Sequence, residues 1–324
     1  MALVLKEADV AQLLTMPDAI AALDTVFRQQ HPTTGEQQAL NRPRHRLQPP
    51  GAILHFMTAA APGLGVYGFK AYTVARPGVA RFVVMLFSTE DGRLLAMIEA
   101  DTLGQMRTGA ASGLATRSMA RLDAAVVGIV GSGWQARSQV QAICAVRQVR
   151  EIRAAGRDPG RLRRFCEEMS AKVDVPVTPV ESAEAAVRHA DIVVTATTAK
   201  EPIVLGDWLK PGTHLNVMGS NWANRREVDE QVIKRSDLIV IDSKEQGMLE
   251  AGDLLVPIQQ GMLSWDRVHE LHEVISGALP GRRGSEEITL FKSLGLALED
   301  IAVAARVYTL ARERGIGEEL AFLS

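Results

Sequence analysis

The stretch that most constrains the fold is residues 126–136, VVGIVGSGWQA, in which two glycines one residue apart follow a run of apolar residues. The apolar run predicts a buried strand, and the residues after Gly133 open a helical pattern. A strand that leads through a tight turn into a helix returns to pair in parallel with a later strand. This part of the chain is therefore expected to form a parallel sheet with helices on its faces.

The same rhythm continues on the carboxyl side of this turn. Short apolar runs at 150–155, 191–197, 213–220 and 237–242 are separated by helical segments. Such an alternation is typical of an α/β fold with a doubly wound parallel sheet. We predict a Rossmann domain over residues 123–295.

The residues before this domain follow a different pattern. Two short helices are predicted over 7–30, and four strand-like runs follow between 52 and 101. The last two runs are joined at Asp91-Gly92, a dipeptide that favours a hairpin. A helix rich in small residues is expected from about 107 to 122. Residues 1–122 therefore predict an antiparallel α+β domain.

The carboxyl-terminal tail, residues 286–315, has apolar residues at helical spacing and ends in Arg-Glu-Arg-Gly. A basic last turn followed by glycine is a common way for a helix to end. We predict a helix over 296–324 that returns to the first domain.

Composition and charge exclude several classes of partner. The chain has 324 residues, with 36 basic and 38 acidic side chains and a net charge of −2, so no overall field favours nucleic acid or an anionic membrane. Cys144 and Cys166 lack metal-ligand spacing and lie in predicted helices, so we expect buried, reduced thiols and no metal. No apolar run reaches the length of a membrane span, and no secretory signal is evident. We expect a cytoplasmic protein.

The glycine turn predicts a dinucleotide site. Gly131 permits the tight turn, Gly133 lets the backbone approach a pyrophosphate, and Ala136 lets the helix pack closely on the strand. The amino end of the helix then offers N–H groups and a partial positive charge to the phosphates. The alternative is an ordinary strand-to-helix turn without a ligand.

The end of the next strand, AAGRD at 154–158, indicates which dinucleotide is bound. NAD sites usually place an acid roughly twenty residues beyond the glycines, at the ribose hydroxyl. Here no acid ends the strand, and Arg157 follows it directly, where a guanidinium could bind a 2′-phosphate. We predict a preference for NADP(H), with NAD(H) possible. The alternatives are that Arg157 is solvated or that Asp158 binds the ribose.

Basic residues upstream predict an anion site. They are Arg42, Arg44 and Arg46 in NRPRHR, Lys70 in GFKAYT, and Arg107 in GQMRTG. Lys70 lies in a strand that is expected to be buried, so its ammonium group requires an anionic partner.

These features together resemble the ornithine cyclodeaminase and mu-crystallin family over nearly the whole chain. The residues that carry the resemblance are the Arg44 region, Gly68 to Lys70, Arg107-Thr-Gly-Ala-Ala111, Gly131-Ser-Gly133-Trp-Gln135-Ala136, Gly212-Thr-His-Leu-Asn216, Gly219-Ser-Asn221, Glu227-Val-Asp229, Phe291-Lys-Ser293-Leu-Gly295 and Glu299-Asp300. The resemblance implies a homodimer, with a substrate-binding and dimerisation domain built from the amino-terminal part and the last helix.

The resemblance also assigns roles to residues. Arg44, Lys70 and Arg107 correspond to the basic residues that bind the α-carboxylate of an amino or imino acid, and Arg46 is an alternative to Arg44. Arg225 matches a basic position near the dinucleotide. The positions that resemble the family's cofactor contacts are Thr108, Gly133, Gln135, Thr197 and Ser293.

One segment departs from the cyclodeaminases of this family. In the cyclodeaminases that this chain resembles, the segment reads Gly-Ala-Asp or similar, whereas this chain has Gly219-Ser220-Asn221. The amide side chain of asparagine cannot act as a general base. The resemblance therefore favours reduction of cyclic ketimines over ornithine cyclodeamination, with Asn221 as a hydrogen-bond partner of substrate or nicotinamide. Another amino-acid or imino-acid dehydrogenase remains an alternative, as does a mu-crystallin-like binding protein. Lys70 and His55 are candidate proton donors, although a hydrogen-bonded core histidine is the simpler interpretation of His55.

Overall fold

A computed structural model describes residues 1–31, 38–76 and 79–322 of the chain. The chain forms two compact units. Unit 1 comprises Met1–Arg107 and Leu296–Ser324, and unit 2 comprises Thr108–Gly295. The last two residues of unit 1 lie outside the described part.

Unit 1 contains a mixed sheet. Its strands are β1 (Ala2–Leu5), β2 (Leu40–Asn41), β3 (His45–Leu47), β4 (Ile53–Ala61), β5 (Val66–Arg76), β6 (Val79–Ser88), β7 (Leu94–Glu99) and, at the end of the chain, β16 (Glu318–Leu320). The order is β16-β1-β7-β6-β5-β4-β2, and β3 also pairs with β4. The prediction of a purely antiparallel sheet is wrong in one place, because β1 pairs with β7 in parallel. The β6–β7 hairpin turns at Gly92, with φ of +74°.

The helices of unit 1 cover one face of this sheet. They are α1 (Glu7–Leu13), α2 (Met16–Gln29), the first part of α3 (Asp101–Met119) and α11 (Ala297–Arg314). Helix α11 packs on β4, β5 and β6 and against α2. Residues of β4 and β5 alternate between this inner face and an outer face, as side chains in strands do.

Unit 2 is the predicted doubly wound (Rossmann) domain. Its strands are β8 (Val126–Val130), β9 (Glu151–Ala155), β10 (Val177–Pro179), β11 (Ile192–Thr195), β12 (His214–Val217), β13 (Leu238–Ile241), β14 (Val268–Glu270) and β15 (Thr289–Lys292). They form one parallel sheet in the order β10-β9-β8-β11-β12-β15-β13-β14. Two apolar clusters, one containing Ile129 and the other Val130, cover opposite faces.

The helices of unit 2 connect these strands. They are α4 (Trp134–Val146), α5 (Pro159–Val173), α6 (Ala183–Val187), α7 (Glu230–Arg235), α8 (Lys244–Glu250), α9 (Gly252–Gln259) and α10 (Leu271–Ile275). Strands β9 and β11 flank β8 on its two sides, so the order reverses at β8. Ligands of doubly wound sheets bind at the carboxyl ends of the strands beside such a reversal.

The terminal helix is shorter than the predicted 296–324. It ends at Arg314 because Gly315 takes a left-handed conformation, with φ of +65°, and β16 then pairs with β1. Residues 289–292, at the start of the tail that suggested a helix, instead form β15 in the middle of the parallel sheet. The four residues are fully or almost fully buried, and periodicity does not separate so short an apolar run from a helix.

The helix predicted at about 107–122 begins six residues earlier, at Asp101, and ends at Met119. The boundary between the units lies within it, at Arg107/Thr108, whereas the sequence suggested 122/123. The second part of α3 belongs to unit 2 because its small residues pack there: a Cβ at Gly109 would lie 2.4 Å from the Ser138 carbonyl oxygen. Asn216 also donates to Thr116 Oγ1 at 2.9 Å.

The described residues contain no single helix long and apolar enough to span a membrane, although the bent pair α1 and α2 meets the length and composition criteria together. Cys144 is half-buried and Cys166 is buried, and both thiols are unpaired.

Candidate functional site

The first candidate site is built on the inner face of the unit 1 sheet, around Lys70. The β4–β5 register pairs Met57 with Lys70, and both side chains are almost fully buried. Lys70 Nζ donates to Asp300 Oδ1 of α11 at 2.8 Å. The anionic partner that a buried lysine requires is therefore Asp300 of the same unit. Burial lowers the pKa of Lys70 to about 8, although Asp300 acts in the opposite direction.

Arg107, on α3, shares the same carboxylate. Its Nε donates to Asp300 Oδ1 at 3.1 Å, and its Nη1 donates to Glu299 Oε2 at 2.7 Å. Burial alone would lower the pKa of Arg107, but the two carboxylates outweigh it and the pKa is raised. Asp300 Oδ2 is buried without a hydrogen-bond partner among the described residues. The carboxylate between Lys70 and Arg107 therefore keeps one acceptor oxygen for a further donor.

Arg44 completes the predicted basic trio. Its side chain is buried and its Nε contacts Met57 Sδ at 3.5 Å. Its charge helps to lower the pKa of Lys70, so the two cations are near each other. Arg46, the alternative, lies in β3 opposite His55 and is only half-buried. The three cations and the two acids, Glu299 and Asp300, are all buried.

Next to this cluster lies a row of three rings from neighbouring strands. His55 stacks on Tyr72, with ring centroids 4.1 Å apart and planes 6° apart, and Tyr72 stacks on Phe82 at 5.1 Å. Lys70 Nζ lies 5.9 Å from the Tyr72 centroid and 5.3 Å from that of Phe82. Tyr67 lies on the outer face of the sheet, because it is three residues from Lys70 in a strand with a period of two.

The second candidate site is the glycine turn between β8 and α4 in unit 2. Gly131 has φ of +116°, and a Cβ there would lie 2.3 Å from the Ala196 carbonyl oxygen, so the turn requires glycine. A Cβ at Gly133 would meet no atom within 4 Å, which leaves open space over the backbone. The N-cap of the 13-residue α4 is Gly133, which has no side chain to cap the helix, and Ala136 is fully buried. These features fit a dinucleotide pyrophosphate.

The loops after β11 and β12 lie at the same edge of the sheet and are joined by Glu227. Its carboxylate accepts hydrogen bonds from Thr195 Oγ1 at 2.7 Å, from Thr197 N and Oγ1 at 2.8 and 2.7 Å, and from Gly219 N at 2.6 Å. Burial and the nearby Asp253 raise the pKa of Glu227, although these donors and Lys292 act in the opposite direction. Glu227 therefore determines the conformation of both loops.

A buried ion pair supports the loop that contains Asn221. Lys292 Nζ donates to Asp253 Oδ2 at 2.8 Å and to the Ser220 carbonyl oxygen at 2.7 Å. Asp253 Oδ1 also accepts from the backbone N–H groups of Glu227 and Val228. Asn221 is thus preceded by a residue whose carbonyl group is held by a fully buried lysine.

The remaining predicted cofactor residues are placed as follows. Ser293 follows β15 and its Oγ lies 3.4 Å from Asp242 Oδ2. The carbonyl oxygen of Thr108, on α3, accepts from Gln139 Nε2 at 3.2 Å. Gln135 Oε1 is buried without a partner among the described residues. The Arg225 guanidinium lies 5.7 Å from the Trp222 ring centroid, in the loop after β12.

Arg157 is exposed directly after β9, where the sequence placed it. The neighbouring Asp158 caps α5 by accepting from Arg161 N at 2.8 Å. If Asp158 bound a ribose instead, its carboxylate would lose or share the hydrogen bond that it accepts from Arg161 N.

The acids that organise both sites were not recognised from the sequence as site residues. Glu299 and Asp300 stood only among the matching motif residues, as did Glu227. The available signal was two adjacent acids inside the otherwise apolar segment LGLALEDIAVAARV. Acids are rarely buried without a partner, so a helix of this composition predicts buried cations opposite it.

Comparison with known proteins identifies the family. The model of the ornithine cyclodeaminase/mu-crystallin family matches residues 1–315. A Delta(1)-pyrroline-2-carboxylate reductase of Bacillus cereus is 37% identical over 273 residues, which cover 82% of this chain and 84% of the relative.

Solved structures agree with this match. The Delta(1)-pyrroline-2-carboxylate reductase of Thermococcus litoralis, in complex with NADH and L-proline, has a TM-score of 0.92 at 34% identity and covers 98% of this chain and 100% of its own. An archaeal alanine dehydrogenase dimer with bound NAD has a TM-score of 0.91 at 30% identity, with 99% of each chain covered. The chain therefore belongs to the ornithine cyclodeaminase/mu-crystallin family, as its motifs predicted.

Proposed function

We propose that this protein is a cytoplasmic NAD(P)H-dependent reductase of cyclic ketimines. Its substrates are 1-pyrroline-2-carboxylate or 1-piperideine-2-carboxylate, and its products are L-proline or L-pipecolate. Unit 1 is the substrate-binding and dimerisation domain, and unit 2 is the dinucleotide-binding domain.

The observation that carries the proposal is the buried charge cluster of unit 1. Lys70 and Arg107 donate to the two carboxylates of α11, and the buried Arg44 is the third cation of this part of unit 1. Three buried cations favour an anionic ligand, and a substrate carboxylate supplies the negative charge. Charge-assisted hydrogen bonds to such a carboxylate fix its orientation and hence the position of the adjacent imine carbon.

The glycine turn of unit 2 fits a nicotinamide dinucleotide, which supplies a hydride when it is bound in the reduced form. Gly131, Gly133 and the amino end of α4 would hold the pyrophosphate, and Ala136 allows the close packing of α4. Thr197, held by Glu227, and Ser293 would line the same edge of the sheet, together with Thr108, Gln135 and Arg225.

The finer choice of cofactor rests on Arg157. Its exposed guanidinium directly follows β9, and no acid ends this strand. A 2′-phosphate would make charge-assisted hydrogen bonds to it, so we propose that NADP(H) is preferred and that NAD(H) is also used.

Asn221 distinguishes this proposal from ornithine cyclodeamination. Its amide offers hydrogen bonds to substrate but no titratable proton near neutral pH. A second candidate function is an amino-acid dehydrogenase, which is favoured by the similarity to the archaeal alanine dehydrogenase over 99% of the chain.

The outer face of the unit 1 sheet supports a homodimer. The Phe56 and Phe69 rings lie 4.9 Å apart, those of Phe69 and Phe87 6.3 Å, and those of Tyr67 and Phe87 5.7 Å. Phe56 and Tyr67 are 37% and 39% exposed. A contiguous aromatic patch of this kind is usually covered by a partner, here a second copy of the chain. A monomer in sedimentation equilibrium would refute this assignment.

Turnover assays test the proposed reaction. Oxidation of NADPH and NADH is followed with each ketimine, beside ammonia release from ornithine. We expect NADPH-linked turnover of one or both ketimines and no ammonia. No oxidation with either ring would refute the proposal, and reduction of NAD⁺ by L-alanine would favour the second candidate. Ammonia from ornithine would refute the argument from Asn221.

A further inference from the structure

One buried polar atom that the proposed mechanism leaves unused is Nδ1 of His55. The His55 side chain is 5% exposed, and Nδ1 is buried without a hydrogen-bond partner among the described residues. A buried imidazole nitrogen without a partner is costly, so its persistence in a well-packed strand calls for a ligand. The simpler interpretation of His55, as a hydrogen-bonded core histidine, does not describe this environment.

His55 is held in place beside the carboxylate-binding cluster. Tyr72, directly opposite on β5, lies parallel to the imidazole at 4.1 Å and prevents it from turning freely. The pairs His55–Tyr72 and Met57–Lys70 are consecutive inward-facing pairs of the same two strands. Diagonal neighbours on one face of such a pair are about 7–8 Å apart. In a cyclic ketimine that carries a 2-carboxylate, the ring nitrogen is two bonds from the carboxylate carbon. The spacing between His55 and Lys70 allows the carboxylate to lie near Lys70 while the ring nitrogen lies near His55.

The surroundings of His55 keep the imidazole neutral. Burial, followed by the nearby charges of Arg44 and Arg46, lowers the pKa of His55 to about 4. A neutral imidazole with its proton on Nε2 has a free acceptor at Nδ1.

We propose that His55 is a substrate-contacting residue whose Nδ1 accepts a hydrogen bond from the ring N–H of a protonated cyclic ketimine. This inference rests on the proposed function for the substrate class. It also accounts for the protonation step. Hydride added to the carbon of the iminium group moves the C=N electron pair onto nitrogen, which already carries its proton. The product is a secondary amine, and no proton from the protein is consumed.

Two planar anions test this contact without turnover. Pyrrole-2-carboxylate and furan-2-carboxylate share the ring size and the carboxylate, but only the first has a ring N–H. We expect calorimetry on the full wild-type chain to show about fivefold to tenfold tighter binding of pyrrole-2-carboxylate, the worth of one net hydrogen bond. His55→Phe keeps a ring on Tyr72 but removes Nδ1, so the ratio of the two affinities should fall to about one.

Two further variants separate this contact from a structural role. His55→Asn, which restores a polar atom near Nδ1, should recover part of the preference. His269→Phe makes the same substitution in a half-buried histidine of β14 in unit 2 and should keep the wild-type ratio. An unchanged ratio in His55→Phe, or no preference in the wild type, would overturn the inference. Ketimine turnover by the wild type tests the proposed function separately, so the two can fail independently.

Discussion

Replacement of Lys292 by methionine tests how the loop of Asn221 is supported. Methionine has nearly the same length and no charge, so the substitution removes the ammonium group and leaves little cavity. Lys292 and Asp253 are 0% and 1% exposed as side chains, and Nζ makes two hydrogen bonds, to Asp253 Oδ2 and to the Ser220 carbonyl oxygen. The variant therefore leaves a buried carboxylate without its cation and a buried carbonyl group without its donor.

The expected cost follows from these contacts. Removal of one partner of a buried ion pair destabilises a protein by about 3–5 kcal/mol, because the remaining charge is uncompensated. The N–H groups of Glu227 and Val228 still donate to Asp253 Oδ1, so we expect the lower end, about 3 kcal/mol. With a urea m-value of about 2 kcal/mol/M, the unfolding midpoint should fall by about 1.5 M.

The positions of the tryptophans provide the assay. All four, Trp134, Trp208, Trp222 and Trp265, lie in unit 2, so their fluorescence during urea unfolding reports on the unit that contains Lys292. Arg188→Met is the matched control in the same unit. Arg188 pairs with Glu184, but both side chains are about half exposed, and such pairs contribute only about 0.2–1 kcal/mol.

A second substitution identifies the cause of the loss. Asp253→Asn keeps an acceptor for the two backbone N–H groups and removes the charge, so Lys292→Met/Asp253→Asn should be more stable than the sum of the single variants predicts. The reasoning would be refuted if Lys292→Met cost no more than Arg188→Met, or if the two losses were additive.

Two further predictions concern the binding sites. Arg157→Ala should raise the KM for NADPH about tenfold, because one charge-assisted contact is lost, and should leave the KM for NADH nearly unchanged. Arg150→Ala, at the other end of β9, is the control. Equal effects of Arg157→Ala on both cofactors would contradict the assignment. Lys70 has a pKa of about 8, so it is protonated below that pH and loses its charge as the pH rises through it. Binding of pyrrole-2-carboxylate should therefore be about tenfold weaker at pH 9 than at pH 7, and flat in Lys70→Met. A pH-independent affinity in the wild type would show that Lys70 does not bind the carboxylate.

Much of the fold was predictable because its signals are local. The strand, glycine turn and helix at 126–146 follow from residues adjacent in sequence, and so do the β6–β7 hairpin at Gly92 and the two amino-terminal helices. The errors arose where tertiary contacts override local pattern. The segment TLFK became a central strand because the sheet buries it, and β1 could pair with β7 in parallel because the chain returns from a distance.

The family and the basic character of the site could also be read from the sequence, since motif residues keep their order along the chain. Lys70 alone indicated that an anion had to be present. Which anion it was depended on α11, because Asp300 is 230 residues away along the chain. The same holds for Glu227, whose four hydrogen bonds join two loops that only the sheet brings together.

The sequence by itself determined the glycine turn, the cations and the family, since each depends on the identities of neighbouring residues or on motif order. Only the tertiary structure decided how Lys70 and Arg107 pair with Glu299 and Asp300, and what surrounds His55. Both depend on distances and burial between strands and helices far apart in the chain. Electrostatic energies depend steeply on distance and burial, so a local sequence pattern does not determine them.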